Sequence, residues 1–349
     1  MTKIVFVGST AIGGGNKIAI QSMTTARAAD VDATVRQINK LQSVGCDIVR
    51  VAVLDKTDAL AIKAIKNRIA IPLVADIHFN DKFAILAIEN GADKIRINPG
   101  NVSTDKLRDV IKCAKQRGVA IRIGVNGGSV NKDYLAKYGD KTKALCFSLL
   151  DYVKFFEDND FTDLVLSLKS SDVKETVDAN TIISGLTDYP LHIGVTEAGV
   201  KEVAVIKNSI GIGSLLLKGI GDTIRVSVTA DPIEEVFAAK NILSACGKYK
   251  NKLRFVSCPA CGRCQVNLEN IASRIYRQIK DIECDLSVAV MGCAVNGPGE
   301  AADADMGIAF GKDKALLFKH GKIAGELSSD GIVEKFVSMV KEAAKNVVR

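Results

Sequence analysis

The sequence predicts an α/β fold, a (β/α)₈ barrel, followed by a small α+β domain. Eight short β-rich runs recur between residues 17 and 228, and helical patterns separate most of them. A lysine-rich stretch, GKYKNK (247–252), follows, and the order of strands and helices changes after it. A doubly wound open sheet is the competing fold for the first part, but the number of strands favours the barrel.

The predicted barrel strands are short runs rich in Ile, Val and Leu. In chain order they are KIAIQS (17–22), DIVRVAV (47–53), PLVADI (72–77), KIRIN (94–98), VAIRIGV (119–125), DLVLSLK (163–169), LHIGVTE (191–197) and TIRVSV (223–228). Stretches between them, such as Ala33–Val44, Asp81–Gly91 and Thr104–Gly118, carry apolar residues at helical spacing. The opening IVFVGSTAIGGG predicts a hairpin. Its glycines lack a following Lys-Ser/Thr, so they do not predict a phosphate-binding loop.

The second domain follows a helix that begins at Asp231-Pro232 and ends near Ser244. Its predicted elements, in order, are a strand at Leu253–Ser257, a helix at Val266–Lys280, strands at Leu286–Met291 and Met306–Phe310, a hairpin, and a helix at Asp330–Lys345. We therefore expect a barrel domain at residues 1–246 and an α+β domain at 247–349. Bound metal can supplement the core of a domain of the second one's size.

Composition argues against several classes of protein. Hydrophobic residues at 47% and charged residues at 25% are typical of a globular chain, not of a disordered one. Aromatic residues at 5%, with no Trp, argue against a base-stacking surface for nucleic acid. No run of 18 apolar residues predicts a membrane span, and the first residues do not predict a signal peptide, so we expect a cytoplasmic protein. The net charge of +7 suits an anionic ligand.

The cysteines indicate a metal site in the second domain. Nine cysteines without a secretory signal indicate a reducing compartment, where clustered thiols serve metal or redox chemistry. Cys258 and Cys261 form a C-x₂-C pair after one predicted strand, and Cys293 follows the next strand. The residues leave two choices for a fourth ligand: Cys264 would close the site, whereas Glu300 would leave one iron open to substrate. Zinc is the alternative metal, although the second C-x₂-C pair of a zinc ribbon is absent.

Cations recur inside the predicted barrel strands. They occupy similar places in five strands, as Arg50, Arg96, Arg122, Lys169 and Arg225. Because side chains at the carboxyl ends of barrel strands converge on one mouth, these cations require an anion there. Guanidinium groups bind phosphate oxygens through paired, charge-assisted hydrogen bonds. The strands therefore predict a site for a polyphosphorylated small molecule.

Further polar residues accompany these cations. Strand alternation places neutral donors beside them, at Asn98, Asn126 and Ser227. His78 follows its strand and can orient a substrate hydroxyl or phosphate. Glu197 ends the seventh strand, where a carboxylate is either a counter-ion of the cations or a proton-transfer group.

These motifs together resemble one family. The segments IAIQSM, DIVRV, PLVADIHF, IRINPGN, IRIGVNGGS, LHIGVTEAG, GIGDTIRVSVTADPIEE, CPACGR and GCAVNGPGE, in this order, closely resemble the 4-hydroxy-3-methylbut-2-enyl diphosphate synthases. The resemblance runs from about residue 4 to the end. It implies the short bacterial form, in which a TIM barrel precedes an iron–sulfur domain similar to the cluster domain of sulfite reductase. The activity it implies is reductive ring opening of 2-C-methyl-D-erythritol 2,4-cyclodiphosphate, with loss of water, in isoprenoid biosynthesis.

The resemblance also implies roles for single residues. It makes Cys258, Cys261, Cys293 and Glu300 the ligands of a 4Fe–4S cluster that receives two electrons from flavodoxin or ferredoxin. It makes Glu197 an acid–base residue, and it implies a diphosphate shell of Arg50, Arg96, Arg122, Asn126, Lys169, Arg225 and Ser227. In the family the active enzyme is a homodimer, and the cluster domain of one subunit covers the barrel mouth of the other. Cys264 departs from the family pattern.

Two functions of other classes compete with this interpretation. A zinc-bearing nucleic-acid-binding protein would carry basic stripes on its surface, whereas these arginines lie among Ile and Val inside strands. A phosphosugar aldolase or isomerase barrel with a structural metal domain would need a Schiff-base lysine or a catalytic base at the mouth, and Lys169 is the obvious lysine for that role.

Overall fold

A computed structural model of the chain describes residues 1–77, 80–98, 104–126, 132–250, 252–293, 299, 301–311, 314–328 and 331–347. The chain divides into two compact units, Met1–Lys248 and Tyr249–Arg349. Among the described residues, no helix is both long and apolar enough to cross a membrane.

The first unit is a parallel barrel behind an N-terminal hairpin. The hairpin pairs β1 (Val5–Val7) with β2 (Thr10–Ile12) in antiparallel fashion. The barrel strands are β3 (Ala19–Met23), β4 (Ile48–Ala52), β5 (Leu73–Asp76), β6 (Lys94–Ile97), β7 (Ala120–Asn126), β8 (Leu164–Lys169), β9 (His192–Ile193) and β10 (Thr223–Ile224). Their order is β8-β7-β6-β5-β4-β3-β10-β9, and a parallel bridge between Leu166 and Leu191 joins the two ends of the sheet. The predicted (β/α)₈ barrel is confirmed.

Nine described helices accompany the strands of this unit. They are α1 (Val31–Ser43), α2 (Lys56–Lys66), α3 (Asp81–Glu89), α4 (Thr104–Arg117), α5 (Lys132–Tyr138), α6 (Lys141–Glu157), α7 (Val173–Ser184), α8 (Lys201–Leu217) and α9 (Pro232–Ala245). Aspartate or asparagine side chains accept a hydrogen bond from the first turn of several of them. At α9, the Asp231 carboxylate accepts from the Ile233 amide at 3.0 Å, and Pro232 occupies the first helical position.

An apolar layer fills the amino end of the barrel. Val5, Val7 and Ile12 of the hairpin form one buried cluster with side chains near the strand beginnings, which are Ala19, Ile48, Val74, Ala120 and Val165. The hairpin therefore closes this end of the barrel. The polar interior lies further along the same strands, toward their carboxyl ends.

The second unit is a five-stranded sheet with two helices. Its elements are β11 (Arg254–Ser257), α10 (Leu268–Ile279), β12 (Ser287–Met291), β13 (Met306–Phe310), β14 (Lys314–Lys319), β15 (Lys322–Ser328) and α11 (Ile332–Val347). The first three strands are parallel, and β14 and β15 complete the sheet in antiparallel fashion. Ile275 and Ile279 of α10 share one core with Phe336 of α11 and with Val288 of the sheet. The predicted α+β order is confirmed.

Candidate functional site

Side chains at the carboxyl ends of the barrel strands surround a cavity of about 130 Å³. Seven of the lining residues were predicted from the sequence: Arg50, Arg96, Arg122, Asn126, Lys169, Arg225 and Ser227. Asp76, Ser167, Val195 and Thr196 complete the lining. The cavity lies at the mouth of the barrel because Asp76, Asn126 and Lys169 are the last residues of β5, β7 and β8.

Strand register sets the neighbours of each cation in the mouth. Arg96 lies opposite Asp76 on one side and Arg122 on the other, because β6 pairs with both β5 and β7. Asp76 Oδ1 lies 3.3 Å from Arg96 Nη1, and its Oδ2 lies 3.6 Å from Arg50 Nε. All three side chains are buried. One carboxylate thus serves two guanidinium groups.

A second carboxylate comes from a helix instead of a strand. Glu235, in the first turn of α9, binds Arg225 with both oxygens, at 3.0 Å to Nη2 and 3.3 Å to Nε. The hydroxyl of Ser22 donates to Glu235 Oε2 at 2.8 Å. Glu235 was not predicted as a site residue. The feature that could have identified Glu235 is its position on the apolar face of α9, near Pro232 and Val236. A buried carboxylate at such a position needs a partner.

Two cations of the mouth have no carboxylate partner within the described part of the chain. Burial, and then the nearby Arg50 and Arg96, hold the pKa of Arg122 well below its usual value. Burial, and then Arg122 and Arg225, likewise hold the pKa of Lys169 well below its usual value. The five cations of the cavity therefore face two carboxylates, Asp76 and Glu235, among the residues described. The mouth attracts anions.

A glycine makes room for one of these cations. A Cβ atom at Gly194 would lie 2.2 Å from the carbonyl oxygen of Arg225 and 2.9 Å from Lys169 Nζ. Only glycine lets the backbone after β9 approach this closely. Gly194 therefore fixes the position of Lys169 at the cavity wall.

A further buried cation, Lys94, lies at the start of β6, with Val74 and Ala120 opposite it in the sheet. Its side chain is fully buried, and Nζ has no hydrogen-bond partner among the described residues. Burial, and then Arg122 and Arg50, hold the pKa of Lys94 well below its usual value. Lys94 was not predicted as part of the site. Its signal is the two-residue spacing from Arg96, which places both on one face of the strand.

A buried histidine also belongs to the polar interior of the barrel. Nδ1 of His192 lies 2.6 Å from Thr223 Oγ1, and its Nε2 has no partner in the described structure. Burial, and then Lys169, Arg122 and Lys94, hold the pKa of His192 well below its usual value. His192 is therefore neutral at physiological pH. It adds no charge to those of the cations.

Four predicted site residues remain, of which the structure describes Asn98 and Glu197. Asn98 is buried directly after β6 and is not among the side chains that line the cavity. Glu197 is exposed, and its φ of 52° is in the left-handed region that non-glycine residues rarely adopt. His78 lies outside the described residues, as does Glu300 of the second unit. The roles of all four stay predictions.

The predicted thiol ligands lie after adjacent parallel strands of the second unit. Cys258 directly follows β11, and Cys293 lies two residues beyond β12. The backbone amide of Gly292 donates to Cys258 Sγ at 3.2 Å and so connects the two strand ends. Cys261 is exposed, and a hydrogen bond from the Arg263 backbone, together with the Arg263 charge, lowers the pKa of its thiol.

These thiols fit an iron–sulfur cluster by their chemistry. All are free, and thiolates are the usual ligands of iron–sulfur clusters. No three metal-binding side chains are already gathered into a site within the described ranges, from which 294–298 and 300 are missing. The donor set is therefore suitable, and the structure supplies the positions of the thiols but no complete ligand shell.

Comparison with known families accounts for nearly the whole chain. The GcpE TIM-barrel domain matches residues 2–240, and the GcpE protein C-terminal domain matches residues 254–342. The chain belongs to the GcpE family. The family resemblance found in the sequence motifs is thereby confirmed, and it supports neither of the two competing functions.

Several relatives of this GcpE chain match it over their full length. A protein of Clostridium perfringens (strain 13 / Type A) is 50% identical over 342 residues, which are 97% of this chain and 98% of that protein. A protein of Thermotoga maritima is 48% identical over 349 residues, which are 100% of both chains. A protein of Fusobacterium nucleatum is 47% identical over 347 residues, 99% of this chain and 98% of that protein. All three are named 4-hydroxy-3-methylbut-2-en-1-yl diphosphate synthase (flavodoxin).

Solved structures of another enzyme share the barrel. Dihydropteroate synthase of Yersinia pestis superposes with a TM-score of 0.52 at 13% identity, over 70% of this chain and 98% of that chain. At this identity the likeness concerns the fold alone. The likeness agrees with the parallel barrel described above for the first unit of this chain.

Replacing Lys94 with Met is expected to stabilise the fold. Because the pKa of Lys94 is lower in the folded chain than its usual 10.5, the unfolded chain binds more protons between those two values. The lysine therefore costs most below its folded pKa, and the cost falls as pH rises toward 10.5. We expect Lys94→Met to raise the free energy of unfolding by about 1–4 kcal/mol near pH 7, and by less near pH 9.

Urea denaturation at both pH values measures this difference. Lys56→Met, at an exposed lysine of α2, is the control and should change the stability by less than about 0.5 kcal/mol. A loss of stability in Lys94→Met near pH 7 would show that the ammonium is charged and well paired in the folded chain.

Proposed function

We propose that this chain converts 2-C-methyl-D-erythritol 2,4-cyclodiphosphate into 4-hydroxy-3-methylbut-2-enyl diphosphate, by reductive ring opening with loss of water, in isoprenoid biosynthesis. The observation that carries the proposal is the excess of cations over carboxylates at the barrel mouth. Full-length relatives at 47–50% identity that bear the name of this synthase support it. A cyclic diphosphate is an anion of the size and charge that such a mouth accepts.

The cations of the mouth divide into two groups. Arg50, Arg96 and Arg225 are oriented by Asp76 and Glu235, so their remaining guanidinium donors are held in place before substrate arrives. Arg122 and Lys169 have no such carboxylate, and phosphate oxygens are the partners we assign to them. A bound diphosphate also returns the pKa of Lys169 toward its usual value, because an opposite charge then offsets the burial.

Neutral donors complete the diphosphate shell. Asn126 lies opposite Lys169 in the pairing of β7 with β8, and both line the cavity. Ser227 lies two residues after Arg225, on the same wall. These groups donate hydrogen bonds without adding further repulsion among the cations. We also assign His78 and Asn98 to substrate binding.

We further propose that Cys258, Cys261, Cys293 and Glu300 hold a 4Fe–4S cluster. When bound, such a cluster supplies two electrons that flavodoxin or ferredoxin delivers. Cys258 after β11 and Cys293 after β12 would hold it from adjacent strand ends, together with the exposed Cys261. Loss of water consumes a proton, and we assign the transfer to the Glu197 carboxyl group, whose left-handed backbone conformation fits a functional constraint.

We propose a cytoplasmic homodimer. An apolar stripe on α8 supports the second copy as a partner: Val203, Ile206 and Ile210 are each about half exposed and recur at helical spacing. A two-fold contact between these stripes buries identical side chains on both subunits. In this dimer the cluster domain of one subunit serves the barrel mouth of the other.

The cation shell is tested by Arg122→Ala. Truncating a buried charged partner of a diphosphate costs about 2–5 kcal/mol, so kcat/KM should fall by about 30-fold to 5,000-fold while the visible spectrum of the cluster stays unchanged. Arg122→Lys should recover part of the loss, since lysine lacks the paired donors. Arg108→Ala, on the exposed face of α4, is the control. Undiminished turnover in Arg122→Ala would refute the barrel mouth as the substrate site.

The cluster ligands are tested by single serine substitutions. Cys258→Ser, Cys261→Ser and Cys293→Ser should each lose visible absorbance, iron and acid-labile sulfide, because three ligands cannot replace four. Cys264→Ser is the matched control and should keep the cluster. Equal loss of iron in Cys264→Ser and Cys261→Ser would reassign the fourth ligand from Glu300 to Cys264.

The dimer is tested by Ile206→Glu. A charge at this position desolvates on contact with its symmetry mate, so the chain should elute as a monomer in size-exclusion chromatography with light scattering. Leu186→Glu, at an exposed leucine outside this stripe, should leave the mass unchanged. A dimeric Ile206→Glu variant would place the subunit contact elsewhere on the molecule.

A further inference from the structure

Cys264 is the one thiol of the CPACGRC segment that the proposed cluster does not use. Its backbone amide donates to the carbonyl of Cys261 at 2.9 Å and closes a turn through residues 262 and 263. A turn of this kind brings its first and fourth Cα atoms within about 7 Å, which is the span that a disulfide can bridge. Cys261 and Cys264 are therefore placed to form a bond.

The two thiols differ in their access to solvent. Cys261 is exposed, whereas Cys264 is half-buried against the core of the second unit. A Cβ atom at Gly292 would lie 2.5 Å from Cys264 Sγ, and Gln265 donates to the Gly292 carbonyl at 3.1 Å. The sulfur of Cys264 is thus held in place beside β12. An exposed thiol next to a fixed one is the arrangement of an attacking and a resolving cysteine.

The alternative pairing within this segment is less favourable. Cys258 and Cys261 have the same spacing, but no backbone hydrogen bond between these two described residues closes a turn. Cys258 Sγ instead accepts the Gly292 amide, which holds it toward the end of β12. Cys293 is buried, with 6% of its surface exposed. Cys264 is therefore the better partner for Cys261.

We propose that Cys261 and Cys264 form a reversible disulfide when the chain holds no iron. The Cys261 thiolate attacks one sulfur of a low-molecular-mass disulfide and displaces its other half as a thiol. Cys264 then loses its proton to solvent, attacks the Cys261 sulfur and displaces the second half as a thiol. The cysteine pair gives up two electrons and two protons, and the reagent becomes two thiols. A dithiol reductant reverses both steps.

This disulfide protects the exposed member of the segment. A lone exposed thiolate can be oxidised to sulfinic or sulfonic acid, which thiols do not reverse, whereas a disulfide can be reduced again. Cys261 cannot bind iron while it is linked to Cys264, so reduction must precede loading. The proposal concerns the iron-free chain, and it stands or fails independently of the reaction proposed above.

The experiment uses the full chain, made iron-free with a chelator, reduced, freed of thiols and then treated with oxidised glutathione. Wild-type protein should lose the mass of two hydrogens and retain no glutathione, and peptide mapping should place the link between residues 261 and 264. Cys264→Ser should retain one glutathione on Cys261, because the resolving thiol is missing. Cys258→Ser is the matched control and should form the same disulfide as wild type.

Three results would overturn the proposal: glutathione retained on Cys261 in wild type, a link between Cys258 and Cys261, or no reaction. Cys264→Ala repeats the key variant without a hydroxyl, and far-ultraviolet circular dichroism confirms that each variant is folded. Neither cluster assembly nor turnover enters these readouts. A chain that forms the disulfide but fails to assemble a cluster would therefore contradict the proposed function alone.

Discussion

Buried like charges at the barrel mouth are the constraint on which the site depends. Five cations converge there, and Arg50, Arg96 and Arg122 are buried away from the water that would stabilise their charge. Asp76 and Glu235 offset part of this cost by pairing with Arg50, Arg96 and Arg225. The rest of the desolvation cost appears in the free chain as the lowered pKa values of Arg122 and Lys169. An anion that enters the mouth recovers this free energy, so a site that weakens the fold strengthens the binding of an anion.

The barrel tolerates this mouth because its two ends are built differently. The N-terminal hairpin and side chains near the beginnings of five strands form an apolar cluster, which supplies core packing at the amino end. Parallel register then stacks the polar residues above it: Arg96 is opposite Arg122, and Asn126 is opposite Lys169. The closed sheet fixes these neighbours, so the cations are held apart at defined positions instead of collapsing onto the two carboxylates.

Most of the fold, and the cations of the mouth, could be predicted from local patterns. An arginine between isoleucines, as at Arg122, identifies both a strand and an inward side chain. Glu235 could not be found this way, because only tertiary packing decides that the first turn of α9 faces Arg225. Lys94 was not predicted, because a lysine at the beginning of a strand is usually exposed, whereas closure of the barrel buries this one. The exposure of Glu197 depends on a backbone turn that no sequence period indicates.

The second unit meets a different requirement, because the proposed cluster needs thiols that iron can reach. Strand ends provide this access, because β11 and β12 hold Cys258 and Cys293 in place while Cys261, further along the chain, is open to solvent. No group of three metal-binding side chains is gathered among the residues described, and binding of the proposed cluster would therefore order its ligands and stabilise the unit. Such a chain is exposed to oxidation whenever iron is absent. Cys264 packs against Gly292, and its amide donates a hydrogen bond to the Cys261 carbonyl. In this position Cys264 can limit the oxidation of Cys261 by forming the proposed disulfide.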